Sequence, residues 1–108
     1  MFPGILLDKK PQKIVATAKG DSMHPSVKNN QKIIFEEFCY QKIKIGDLIL
    51  FKHPIIVNRI VIKRVTKITS DGAFFVLGDN PTFSTDSRTY GTVCSESIIG
   101  IRRGHVND

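Results

Sequence analysis

The run Val57-Asn58-Arg59-Ile60-Val61-Ile62-Lys63-Arg64-Val65-Thr66-Lys67-Ile68-Thr69, followed by Ser70-Asp71-Gly72 and Ala73-Phe74-Phe75-Val76-Leu77, decides the fold. β-Branched residues dominate it, and their crowded Cβ favours extended chain over helix. The middle of the run alternates. Ile60, Ile62 and Arg64 point one way and Val61, Lys63 and Val65 the other, which is the two-residue period of a strand. Ser-Asp-Gly is a hairpin turn signal, so residues 73–77 are expected to return as the partner strand. The same alternation puts a lysine, Lys63, on one face with two valines.

Working outward, Ile45-Gly46-Asp47 reads as a tight turn. Leu48 to Lys52 reads as a mostly apolar strand that His53-Pro54 breaks. Gln31 to Tyr40 is a further strand. Glu36-Glu37 permits helix locally, but the aromatic and β-branched content favours strand. Lys13 to Lys19 and Ile98 to Arg103 complete the set, while residues 1–12 form an irregular leading segment. Gly78 to Gly91 has no apolar periodicity and is dense in short polar side chains, as a functional loop would be. Many short strands with little helix make the fold class mainly β, in one domain spanning residues 1–108.

Composition narrows the function. The chain has 108 residues, is 41% apolar and 24% charged, and carries a formal charge of +6. The lysines are scattered, so the charge reads as a solvated surface rather than a nucleic-acid footprint. Cys39 and Cys94 form no Cys-x-x-Cys pair, and His24, His53 and His105 lie far apart in sequence, so neither a metal site nor a cofactor is expected. The apolar run Met1 to Leu7 is too short for a signal peptide or a membrane span. The expectation is a cytoplasmic protein with reduced cysteines and no membrane anchor.

The chemistry centres on Gly20-Asp21-Ser22-Met23-His24-Pro25. Glycine before and proline after suit a turn that holds a serine hydroxyl in a fixed, exposed position. Such a hydroxyl becomes a nucleophile only with a base within hydrogen-bond reach. Neither His24 nor His53 is marked for that role by its context. Lys63 is the other candidate, because burial among Ile60-Val61-Ile62 and Val65 disfavours the charged amine and leaves it able to accept a proton. The bland alternative is a lysine on the solvent face of an amphipathic strand.

Four boxes favour the sharper reading. Gly20 to Val27 resembles the Ser-Met-x-Pro box of the signal peptidase I family of serine proteases. Gly46-Asp47-Leu48-Ile49 resembles its Gly-Asp-hydrophobic box, and Lys63-Arg64-Val65 its lysine box. Gly78-Asp79-Asn80, Ser84, Asp86-Ser87-Arg88 and Gly91 resemble its last box. They stand in family order over most of the chain. The resemblance implies a signal-peptidase or LexA-like β catalytic core and a Ser-Lys dyad. It implies Ser22 as nucleophile, its backbone N–H as oxyanion donor, and Lys63 as general base. Ser84 would orient the lysine amine, Asp86 and Arg88 would brace the site as a charge pair, and Met23 and Pro25 would contact substrate. Asp79 and Asn80 are expected to cap their own loop. The chain departs from the family at Gly20, where many members carry serine, and at Ser26, where threonine is usual. It shows neither membrane-spanning helices nor a large inserted β-domain.

A branch without a membrane anchor is a closer likeness: the maturation proteases of nickel-containing superoxide dismutase. Gly78-Asp79-Asn80-Pro81, then Asp86-Ser87-Arg88-Thr89-Tyr90-Gly91, and Lys52-His53-Pro54 all resemble that branch. The implied partner is a precursor protein, nickel superoxide dismutase with its propeptide, from which an N-terminal leader is removed. Processing of secretory precursors is an alternative. So is a LexA-type self-cleaving domain, although residues 1–19 contain neither Ala-Gly nor Cys-Gly. A basic nucleic-acid-binding β-barrel is a distant third, short of aromatic residues for base stacking.

Overall fold

The computed structural model describes residues 10–104. Six strands form one sheet: β1 (Lys13–Thr17), β2 (Lys32–Glu37), β3 (Leu48–Lys52), β4 (Ile60–Ile68), β5 (Phe74–Leu77) and β6 (Ile98–Arg102). The order across the sheet is β1-β2-β6-β3-β4-β5, with antiparallel neighbours throughout. Helix is confined to one turn, α1 (Ser87–Tyr90), and two 3-10 turns at Pro81–Phe83 and Ser95–Ser97. The mainly β expectation therefore holds.

The apolar run of β3 is explained by its place. It lies between β6 and β4 and is buried on both faces, which removes the polar alternation of a one-sided strand. Ile49 and Phe51 enter one core cluster with Val65, Val76, Val93 and Ile101, while Leu48 and Leu50 enter the other with Ile33, Phe35, Met23 and Val27. The second cluster anchors the turn after β1, because Met23 lies within its chemistry-bearing stretch and Val27 just beyond it.

β4 keeps the predicted alternation. Lys63 pairs across to Ile49, which is fully buried, and so lies on the face of the first cluster. The β4–β5 hairpin turns through Ser70-Asp71-Gly72, closed by Thr69 N donating to Ala73 O at 2.9 Å. The strand is shorter than expected at its start. Val57-Asn58 is turn, with Asn58 at φ 63°, and His53 N donates to Arg59 O at 2.8 Å to close the loop. Asparagine tolerates that left-handed backbone, so the β-branched run begins pairing only at Ile60.

The loop 78–91 has more order than its composition suggested. Asp86 is the N-cap of α1 and accepts from Arg88 N at 3.2 Å, the usual use of aspartate before a helical turn. Cys39 and Cys94 are both free thiols. Among the described residues, no helix is long and apolar enough to cross a membrane.

Candidate active site

Ser22 sits on the turn that leaves β1. Gly20 opens that turn at φ 87°, a conformation closed to most side chains, and its N–H donates to Asn29 Oδ1 at 2.9 Å. Two buried side chains, Met23 and Val27, fix the turn from below. The segment after β5 fixes it from the side. Asn80 N donates to Ser22 O at 2.9 Å, Asn80 Nδ2 donates to Asp21 O at 3.0 Å, and Asp79 N approaches Met23 Sδ at 3.4 Å. Gly78 passes so close that a Cβ there would stand 2.6 Å from Ser22 O and 2.1 Å from Ser84 Oγ.

A cleft of about 680 Å³ has both Ser22 and Lys63 in its lining. Ala16 to Gly20 form one wall, while His53, Ile56 and Arg59 to Ile62 form another. Lys63 is only 3% exposed. Burial pushes its amine below the ordinary lysine range. Asp86 and Asp79 pull it back up, and Arg88 opposes them. The arrangement brings a half-buried hydroxyl and a buried amine, lowered in proton affinity by burial, to the lining of one cavity.

Asp86 organises the far side. Fully buried, its carboxylate accepts from Ser84 Oγ (2.8 Å), Gly78 N (3.0 Å), and Arg88 Nε and Nη2 (2.8 and 3.0 Å). Burial alone would raise its pKa, but the bonds from Arg88, Gly78 and Ser84 outweigh it and hold the carboxyl at about 2. The Arg88 fork is thus bidentate. Ser87 Oγ accepts from Val76 N at 2.8 Å and ties α1 to β5.

Several expected residues fall elsewhere. Ser84 Oγ donates to Asp86 at 2.8 Å, which leaves its oxygen able to accept. Asn80 makes no side-chain cap to its own turn. Asp79 takes a two-point bond from Arg64, Nε to Oδ1 at 2.9 Å and Nη2 to Oδ2 at 2.8 Å, and Asn80 reaches back to Asp21. Long-range pairing wins because the serine turn and β4 lie beside the loop and offer partners of opposite polarity. Met23 lines the cleft from within the core, whereas Pro25 is exposed and lies outside the lining. His24 is exposed as well, but His53 is in the cleft wall. Thr85, which no sequence signal marked, also lines the cleft. No group of three or more His, Cys, Asp or Glu side chains among the described residues is placed to hold a metal ion.

The chain belongs to the Peptidase S24-like family, a family of serine peptidases whose model matches residues 1–101. The four boxes had pointed to signal peptidase I; the match is to this relative within the same LexA and signal-peptidase-like group. No curated protein matches the chain.

Proposed function

We propose that this Peptidase S24-like chain is a cytoplasmic serine endopeptidase in which Ser22 is the nucleophile and Lys63 the general base. Its substrate is a precursor protein, nickel superoxide dismutase carrying an N-terminal leader. The observation that carries the reading is the shared cleft: a serine on a tethered turn and a lysine buried to 3% exposure line the same cavity. Uncharged, the Lys63 amine takes the Ser22 hydroxyl proton as Oγ adds to the scissile carbonyl. The Ser22 N–H donates to the resulting oxyanion. The lysine then passes its proton to the departing amine, leaving an acyl-serine that water hydrolyses by the same relay. Asp86 and Arg88 hold the loop behind the lysine, and Ser84 is fixed by Asp86.

The cleft rims suit an extended peptide. β1 is an edge strand, and among the described residues Ile60 to Lys63 pair with β3 on one side only, since β5 joins at Arg64. A substrate strand laid between these edges would take main-chain hydrogen bonds from both, which is strand addition. The small side chains Ala16 and Ala18 leave room for it.

Cleavage within the chain itself is a second reading, favoured by the family match and by the way residues 16–20 run along the cleft. Intact mass distinguishes the two. The chain is incubated alone and with a nickel superoxide dismutase precursor, beside Ser22→Ala, Lys63→Ala and Lys63→Arg. Loss of one defined leader, absent with all three variants, is the expected result, because arginine keeps its proton and cannot act as base. Mass loss by the chain alone would establish self-cleavage. Activity surviving both alanine variants would overturn the dyad.

A further inference from the structure

One stretch of the cleft lining, residues 53–59, is a loop with little packing to hold it. Ile55 and Val57 are 71% and 82% exposed. A second cavity of about 420 Å³ shares its lining residues His53, Ile56, Arg59 and Ile60 with the main cleft, so the loop stands with open space beside it twice over. Its shape rests on hydrogen bonds. Three converge on His53. Its N–H donates to Arg59 O at 2.8 Å, and its ring Nδ1 accepts from Ile55 N and from Ile56 N, each at 3.0 Å. The ring is held in place by Tyr90 of α1, with centroids 4.7 Å apart.

The chemistry of that ring is restrictive. An imidazole nitrogen accepts only when it carries no proton, so the ring is the neutral tautomer protonated at Nε2. Protonating Nδ1 would place an N–H against two N–H donors. The imidazolium form and this loop are therefore incompatible.

We propose that His53 is a positioning residue for the Ser22–Lys63 cleft: its neutral imidazole holds the 53–59 loop as the cleft wall, and protonation of Nδ1 releases that wall and weakens substrate binding. The proposal rests on the cleft being the active site. The surroundings favour the neutral form. Burial lowers the affinity of the ring for a proton, and Arg59 on the same loop lowers it further. Facing it from α1 is Tyr90, whose phenol burial pushes above its ordinary range and keeps uncharged. Lys63 and Lys52 share its two cavities. The wall is thus built for neutral pH and lost on acidification below the usual histidine range.

Two measurements test this on the full chain. The first is an NMR pH titration of the His53 ring and of the Ile55 and Ile56 amides, with amide exchange at Ile60 to Ile62. The amides are expected to shift with the midpoint of the ring, and exchange to quicken below it. Amides that ignore the ring would overturn the proposal whether or not the chain is a peptidase. The second is kcat and KM against pH for the nickel superoxide dismutase precursor with wild type, His53→Ala and His53→Asn. Losing two backbone hydrogen bonds raises KM about tenfold. That rise appears in wild type only at acid pH and in His53→Ala at every pH. His53→Asn, whose carbonyl accepts from the same two amides and does not titrate, restores the low KM and removes its rise at acid pH. A KM that still rises at acid pH in His53→Asn would refute the assignment. No cleavage by wild type would fault the substrate or dyad, and the NMR titration would still decide the loop.

Discussion

Gly78→Ala is the sharpest probe of how the site is held. Gly78 lies where the end of β5 meets the serine turn. An added Cβ would stand 2.1 Å from Ser84 Oγ, 2.5 Å from Ser84 Cβ and 2.6 Å from the Ser22 carbonyl oxygen. Ser84 is a short side chain already bonded to Asp86, and the Ser22 oxygen is backbone, so neither can swing away freely. To reach ordinary contact at 3.4 Å, the Ser22 backbone must retreat by about 0.8 Å. Overpacking of this kind costs about 1–3 kcal/mol of stability. A misplacement near 1 Å at a reacting group costs about a hundredfold in rate. The expected result is therefore a fold retained with a lower urea midpoint, and kcat down by about two orders of magnitude. The assay is urea unfolding beside precursor cleavage at fixed pH. A variant within threefold of wild type in kcat, with an unchanged midpoint, would show that the 78–80 segment does not set the position of Ser22.

Two further outcomes concern charge. Lys63→Met removes a buried amine, so stability at neutral pH is expected to rise by about 1 kcal/mol or more while cleavage is lost. The unfolded lysine keeps its proton up to about 10.5, whereas the folded one releases it earlier, so wild-type stability climbs with pH through that window as the buried charge disappears. Lys63→Met lacks the climb, and urea midpoints at neutral and alkaline pH would expose a reading that is wrong. Arg88→Gln leaves the Asp86 charge uncompensated beside Lys63, which then holds its proton more tightly. The basic-side rise of kcat should move to higher pH with its plateau retained, and an unmoved profile would remove Arg88 from the tuning of the lysine.

The sequence carried the strands because they are periodic. β4, its hairpin and the face shared by Val61, Lys63 and Val65 were all legible from alternation, and β3 from its unbroken apolar run. Ser22 and Lys63 were legible as a pair mainly through resemblance, since nothing local says that residues 41 positions apart share a cavity. What alternation cannot report is contact between irregular segments. Asp79 with Arg64, and Asn80 with Asp21, are joined across 15 and 59 positions, and a turn-forming residue type looks the same whether it caps its own loop or reaches for another. Thr85 and His53 were missed as cleft residues for the same reason. Asn58 was missed as a turn because β-branched neighbours on both sides masked it.

The order of the sheet sets a condition on the site. Ser22 follows β1 and Lys63 lies on β4, and β2, β6 and β3 stand between those strands. Strands are spaced at about 4.8 Å, so a flat sheet would hold β1 and β4 roughly 19 Å apart. Yet residues 16–20 and 60–63 line one cleft. The sheet must therefore curl until its first strand approaches its fifth, in the direction that strand twist already favours. Curl alone is a soft constraint, because each strand pair can flex. The 78–80 segment makes it a firm one. It continues from β5, the neighbour of β4, and bonds directly to Asp21 and Ser22, bypassing three strands. Arg64 on β4 then grips Asp79 in the same segment, one residue along from Lys63. The serine and the lysine are thus referred to one short piece of chain rather than to opposite ends of a flexible sheet. The loop that looked least structured in composition is the part that ties Ser22 and Lys63 to one place.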